Sequence, residues 1–161
     1  MDVTNKCYLY RFEAAREFAW SAKEKQLEYM ENSVNHLLKY DIKCVNKDFR
    51  TLHLDFGRRT GNTFFIINKC VKLAIIDKRI CFCFFINLSM AERFWKLMEE
   101  YNGTKINRKS SNIFVYTFGQ IKHGWQHIPN SYAFVDVSCM MGEREIDRIM
   151  ESDQWEIISL L

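Results

Sequence analysis

The run Ile80-Cys81-Phe82-Cys83-Phe84-Phe85-Ile86 constrains this chain more than any other stretch. It has the length of a β-strand and is apolar at every position, so no register leaves one face polar. A strand of this kind must be covered on both sides, which is the situation of a central strand in a parallel sheet with helices above and below. Similar runs recur at Thr51–Phe56, Asn112–Phe118, Tyr132–Val137 and Trp155–Leu161. Between them lie segments with helical spacing. This alternation predicts an α/β fold, a mostly parallel sheet flanked by helices, with ligands expected at the carboxyl ends of the strands.

The helices are marked with different clarity. Ser89-Met90-Ala91-Glu92 has the form of a capping box, the amphipathic stretch Phe94, Trp95, Leu97, Met98, Tyr101 follows, and Asn102-Gly103 supplies a stop. Thr63–Leu73 and Gly142–Met150 are shorter helices. From Tyr8 to Tyr40 glycine and proline are absent, and Tyr8, Phe12, Ala15, Ala19, Leu27, Met30, Val34, Leu37 and Leu38 recur at a spacing near that of a helix. We expect one long helix, or two joined near Ser21, packing through that stripe and exposing Lys23, Glu24, Lys25, Glu28 and Glu31. Residues 1–48 then form an N-terminal helical segment packed on an α/β core of residues 49–161, one domain in all.

At 161 residues the chain is long enough to bury a core without disulfides or metal. Six cysteines show no C-x-x-C pair and sit mostly in apolar segments, which predicts reduced, buried thiols and no zinc site. No apolar run reaches the length of a membrane span and the N-terminus has no signal-peptide core, so a cytoplasmic protein without a membrane partner is expected. The net charge of +3 permits a nucleic-acid partner without demanding one. His123 and His127 flank Gly124 near Pro129 and read as a surface loop. Phe114, Tyr116, Phe118 and Trp125 read as core aromatics rather than a base-stacking platform.

One segment carries chemistry. Phe56-Gly57-Arg58-Arg59-Thr60-Gly61-Asn62-Thr63 lies between an apolar strand and an apolar helix, the layout of a phosphate-binding loop. A helix entered through glycine presents backbone N–H groups to an anion. Gly57, Arg58, Arg59, Thr60, Gly61, Asn62 and Thr63 are thus the candidate nucleotide-binding residues. Asn62 stands where the lysine that neutralises outer phosphates is usual. Asp136, at the end of a later apolar strand, is a candidate for holding magnesium with the Thr63 hydroxyl.

On these residues the chain resembles the P-loop ATPases of the helicase and viral DNA-packaging class, most closely the ATPase core of phage large terminases, over roughly residues 50 to 140. The arginine pair in Gly57-Arg58-Arg59-Thr60-Gly61, the opening Ser89-Met90-Ala91-Glu92, and the stretch from Phe118 to Gly124 leading into Tyr132–Asp136 carry the resemblance. It implies ATP and magnesium as ligands. Three departures qualify it: Asn62 for the loop lysine, Phe56 for the first glycine, and Val137 where that family has the glutamate orienting the attacking water. The chain also ends where a packaging motor continues into a nuclease domain, so a complete large terminase is not expected.

The resemblance therefore implies a degenerate ATPase-like protein of phage or viral type, binding a nucleotide or a partner in nucleic-acid metabolism, with weak or no hydrolysis. Nucleic acid, or a protein that processes it, is the implied partner. Two alternatives stand beside it. A working small ATPase would use Arg58 or Arg59 in place of the lysine, with Glu143 or Glu145 approaching the metal. A pure interaction factor, such as an inhibitor of a host protein, would have lost the nucleotide altogether.

Overall fold

The structure is a computed structural model that describes residues 3–37, 41–54, 61–136 and 143–161, with side chains described from 12 to 30 in the first helix and from 144 in the last. Helix α1 spans Val3–Leu37 without a break. Short α2, Ile42–Val45, is capped by the Asp41 side chain, which accepts from Cys44 N, and runs into a π-helical turn, Asn46–Arg50. Then follow β1 (Thr51–His53), α3 (Asn62–Cys70) with a π-helical extension over Val71–Ile76, β2 (Ile80–Phe85), α4 (Leu88–Asn102) and β3 (Ile113–Thr117). The remainder is α5 (Phe118–Ile121), β4 (Ser131–Val135), α6 (Glu143–Met150) and β5 (Trp155–Leu160).

All five strands are parallel, in the order β1-β5-β4-β2-β3. The chain crosses the sheet in one direction from β1 to β3 and returns from β3 to β5. Because parallel crossovers are right-handed, this reversal places the outgoing and returning helices on opposite faces. Phe65, Ile66, Ile67 and Cys70 of α3 and Ala91, Phe94, Trp95 and Met98 of α4 meet Cys81, Cys83 and Phe85 on one face. Phe118, Ile121, Ile149 and Met150 of α5 and α6 meet Phe82 and Phe84 on the other. The run that is apolar at every position is thus buried from Cys81 to Phe85 because each face has its own layer of helices.

Strand β5 changes face part-way. A register shift opposite Ser131 and Tyr132 sends Trp155 to the α5–α6 face and Ile157 to the other, with Glu156 as the extra residue. Trp155 Nε1 is satisfied by the Ile149 carbonyl at 2.6 Å, and its ring meets Phe82 edge-on at 5.3 Å.

Several boundaries differ from those expected. Helix α4 is capped by Asn87, whose side chain accepts from Met90 N at 3.0 Å, so Ser89 lies inside the first turn. Its stop at Gly103, φ +70°, is as expected. Strand β1 is described only to His53 and is followed by Leu54, short of Phe56. A four-residue helix, α5, occupies the start of the expected polar loop, because Thr117 and Gln120 form a capping box there.

The packed face of α1 is a correction in part. Ala19 and Leu27 of the expected stripe pack against the core, but Ala15 is exposed, and the face also docks through Glu13, Arg16, Glu17, Trp20 and Lys23. Trp20 stacks on Phe134 at 5.6 Å and Tyr132 at 5.9 Å, and meets Phe65 edge-on at 6.2 Å. Polar contacts join it on the same face, and Lys23, expected at the surface, donates to the Phe49 carbonyl at 3.1 Å. Partial burial lowers the Lys23 pKa.

Three cysteines behave as expected of buried thiols: Cys70, Cys81 and Cys83 are all buried, with Cys70 Sγ 3.5 Å from Cys83 Sγ. Cys44 differs, being exposed on α2. No described helix is long and apolar enough to cross a membrane.

Candidate functional site

Because every strand runs the same way, all the carboxyl ends lie along one rim of the sheet. The connection leaving β2 leads outward to β3, and the connection leaving β4 leads the opposite way to β5. Adjacent strands whose connections diverge leave a crevice between their carboxyl ends, the usual ligand position in such sheets. Asp136 immediately follows β4 at that crevice. It is 2% exposed, and its backbone N–H donates to the Phe84 carbonyl of β2 at 3.0 Å.

Strand β1 meets the same rim two places away, with β5 between it and β4. At a strand spacing of about 4.8 Å, β1 and β4 stand roughly 10 Å apart. Leu54 N donates to the Leu160 carbonyl at 2.7 Å, holding the exit of β1 against β5. Gly61 caps the start of α3, its φ of +88° suits a residue without a Cβ, and Phe65 N closes the first turn of α3 on the Gly61 carbonyl at 3.0 Å. The N–H groups of Asn62, Thr63 and Phe64 therefore precede the first intrahelical bond. Gly61, Asn62, Thr63 and Asp136 thus share one rim. Gly57, Arg58, Arg59 and Thr60, together with Phe56 and Val137, lie outside the described residues, as does the side chain of Glu143. Glu145 is half-buried on α6.

A residue that sequence reasoning passed over joins this group. Arg16 of α1 is 1% exposed and reaches across to the first turn of α3. Its Nε donates to the Leu54 carbonyl at 3.3 Å and its Nη2 to the Asn62 side-chain carbonyl. One guanidinium thus contacts the residue before the connection 55–60 and a residue just after it. Cation and helix N-terminus carry the same electrostatic sign, so together they make this part of the rim favourable to an anion. The only signal in the chain is that Arg16 falls one turn before Trp20 on the same helix face. Nothing in local spacing links it to Asn62, 46 residues away.

A second buried cation lies about two turns beyond Asn62 on α3. Lys69 is 2% exposed, paired with Glu17 at 2.7 Å, and lies 4.7 Å from the Trp20 ring centroid. It is held by a carboxylate and by aromatic faces, which makes it a docking contact between α1 and α3.

The two loop histidines do not join the rim. His127 pairs with Asp153 at 2.6 Å, both more than half exposed, beside Gly124 at φ +82°. Phe118 is buried, and Phe114, Tyr116 and Trp125 pack half-buried against the Phe82–Phe84–Trp155 cluster. Among the described residues no cluster of three or more His, Cys, Asp or Glu side chains could hold a metal. No family model, no curated protein and no solved structure matches the chain.

Proposed function

We propose that this chain is a degenerate P-loop ATPase-like protein, of phage or viral type, that binds a nucleotide or a partner in nucleic-acid metabolism and has little or no hydrolytic activity. The observation that carries the reading is the convergence of a glycine-entered helix N-terminus, a buried arginine and a buried aspartate on one rim of a parallel sheet. Gly61, Asn62 and Thr63 would hold phosphate through their backbone N–H groups, with Gly57, Arg58, Arg59 and Thr60 completing the loop. Thr63 and Asp136 would hold magnesium, the aspartate through water. Bound magnesium would offset phosphate charge. Asn62 is already engaged with Arg16 and carries no charge of its own, and Val137 follows Asp136 where a glutamate would be needed to orient water, so binding without efficient turnover is the reading these residues favour.

A second reading, a protein-interaction factor that has lost the nucleotide, draws support from α1. Phe18 and Tyr29 are 78% and 93% exposed on that helix. Calorimetric and thermal-shift titration with ATP and ADP, with and without magnesium, beside an Asn62→Lys variant, separates the two. Stabilisation of the wild type by Mg-ATP supports the first reading, since a ligand that binds only the native state raises its stability by mass action. No binding by the wild type and binding by Asn62→Lys supports the second.

A further inference from the structure

Strand β3 ends the sheet, so its outer side has no neighbouring strand among the described residues. Its inner side is fixed by Cys81 N, which donates to the Asn112 carbonyl at 2.9 Å. In a strand the N–H and C=O of one residue point to the same side, and the sides alternate along the chain. Asn112, Phe114 and Tyr116 therefore turn their backbone groups toward β2, and Ile113, Val115 and Thr117 turn theirs outward. Thr117 has the same phase: its N–H is taken by Gln120 Oε1 at 2.8 Å, off the sheet.

Open edges of this kind pair with other chains, and proteins blunt them with proline, charge, a bulge or brevity. The opposite edge, β1, is three residues long. Strand β3 has five, Ile113-Phe114-Val115-Tyr116-Thr117, all uncharged strand formers in an unshifted register with β2. Burial gives out at the same place. Strand β2 is buried from Cys81 to Phe85 and β4 throughout, whereas β3 is half-buried from Phe114 to Thr117. On the α5–α6 face Phe114 stacks on Phe82 at 5.0 Å, and Tyr116 stacks on Phe82 and Phe84 at 6.1 Å. This aromatic layer runs to the edge of the sheet and stops there.

We propose that the β3 edge is a homodimer interface, in which a second copy of this chain adds its own β3 antiparallel across a two-fold axis at Val115. A two-fold relation makes like edges antiparallel and pairs each residue reciprocally with its counterpart. With the axis at Val115, that residue trades both backbone bonds with its symmetry mate, and Ile113 stands opposite Thr117. Phe114 then faces Tyr116 of the second copy between the bonded pairs, where side chains come closest and aromatic pairs stabilise a sheet. An axis moved to Phe114 or Tyr116 leaves one of the three outward residues without a counterpart. The edge is thus complementary to itself, which favours a second copy over a foreign strand. Pairing consumes both β3 edges and leaves only the short β1 edges, so assembly closes at two. The proposal is independent of the nucleotide reading.

Sedimentation velocity of the wild type from about 1 to 300 µM tests it, since so small an interface predicts a weak dimer. Beside it runs Val115→Pro, which removes one outward N–H and no bond to β2. Residue-resolved amide exchange is followed over the same concentrations. Expected is a reversible monomer–dimer equilibrium whose Kd is at least about tenfold weaker in Val115→Pro. The Val115 amide should slow as the dimer forms, while those of Phe114 and Tyr116, bonded to β2, are protected at every concentration. A wild type that stays monomeric overturns the proposal, as does growth beyond the dimer. A dimer that Val115→Pro leaves unchanged overturns it as well, because the interface then lies elsewhere. Should the proline variant not fold, exchange in the wild type decides alone: protection of Val115 that follows the dimer population supports the interface, and protection indifferent to it overturns the interface.

Discussion

Lys69 and Glu17 form an ion pair of unequal partners: the ammonium is 2% exposed and the carboxylate, 2.7 Å away, is 40% exposed. Burying a cation is costly unless it is paired, so the exposed member secures the buried one. Glu17→Gln should destabilise the fold by about 2 kcal/mol, because it leaves the ammonium against Trp20 and Phe65 without its carboxylate. Lys69→Met, which removes the charge and keeps the aliphatic volume, should stay within about 1 kcal/mol of wild type. Urea denaturation of the two variants checks the asymmetry, and equal losses would refute it.

Alkaline pH should weaken the fold earlier than acid-base balance at the surface would suggest. The pKa of Cys70 is raised chiefly by burial, that of Cys81 by its hydrogen bond to Cys70 and then by burial, and that of Cys83 by burial. Burial, with a hydrogen bond to Glu156, raises Tyr132 as well. A raised folded-state pKa means stability that is whole below the unfolded value and lost as pH climbs from there toward the folded value. Unfolded thiols ionise near pH 8.5 and tyrosines near 10, so stability should begin to fall above about pH 8.5 and steepen above about 10. Each such thiol contributes a slope of up to about 1.4 kcal/mol per pH unit. Cys70→Ala should show a shallower decline than wild type in denaturant titrations across pH 7 to 10.

Asn46 ties the π-helical turn before β1 to the end of α6. It is fully buried, and its Nδ2 donates to the Met150 and Ser152 carbonyls, each at 2.7 Å. Asn46→Ala should cost about 2 kcal/mol by leaving these carbonyls without their donor. Asn46→Asp should cost more, since a carboxylate placed against two carbonyls has nothing to donate. Comparing the denaturation midpoints of the two variants decides it.

Asn62→Lys places an ammonium next to the Arg16 guanidinium at a site where Asn62 is only 8% exposed. Without ligand the variant should be less stable than wild type by about 1 to 3 kcal/mol, through like-charge contact and loss of the amide acceptor. With Mg-ATP its thermal shift should exceed that of the wild type. In an Asp136→Asn background the magnesium-dependent part of that shift should disappear, while the part seen with ATP alone remains. A shift indifferent to Asp136 would remove the aspartate from the site.

The strands and their parallel arrangement were legible because they follow from local composition. An unbroken apolar run can be satisfied only by cover on both sides, and Ile80–Ile86 announces that requirement without help from any other residue. Gly103 as a helix stop is local in the same sense. Asn87 was passed over as the cap because Ser89 with Glu92 offers the same chemistry two residues later, and only backbone geometry chooses between them. The docking face of α1 was legible only in part: Ala19 and Leu27 of the expected stripe pack against the core, but the ion pairs and hydrogen bonds beside Trp20 leave no hydrophobic periodicity. Arg16 looked like any charged residue on an exposed helix. Its partners lie 38 and 46 residues away, on elements that meet α1 only after the sheet is assembled.

The pairing of β1 sets an order of events during synthesis. Thr51, Leu52 and His53 find their parallel partners in Ile158, Ser159 and Leu160, more than a hundred residues downstream. Until that segment has left the ribosome, β1 has no strand to join and Leu54 no Leu160 carbonyl to meet. Closing so long a stretch of chain is entropically slow, and contacts of this separation tend to form late. A nascent chain can therefore pack the β2–β3 pair with α4 while the rim that gathers Arg16, Gly61 and Asn62 is still unmade, which leaves that rim as the part of the protein most exposed to interruption of translation.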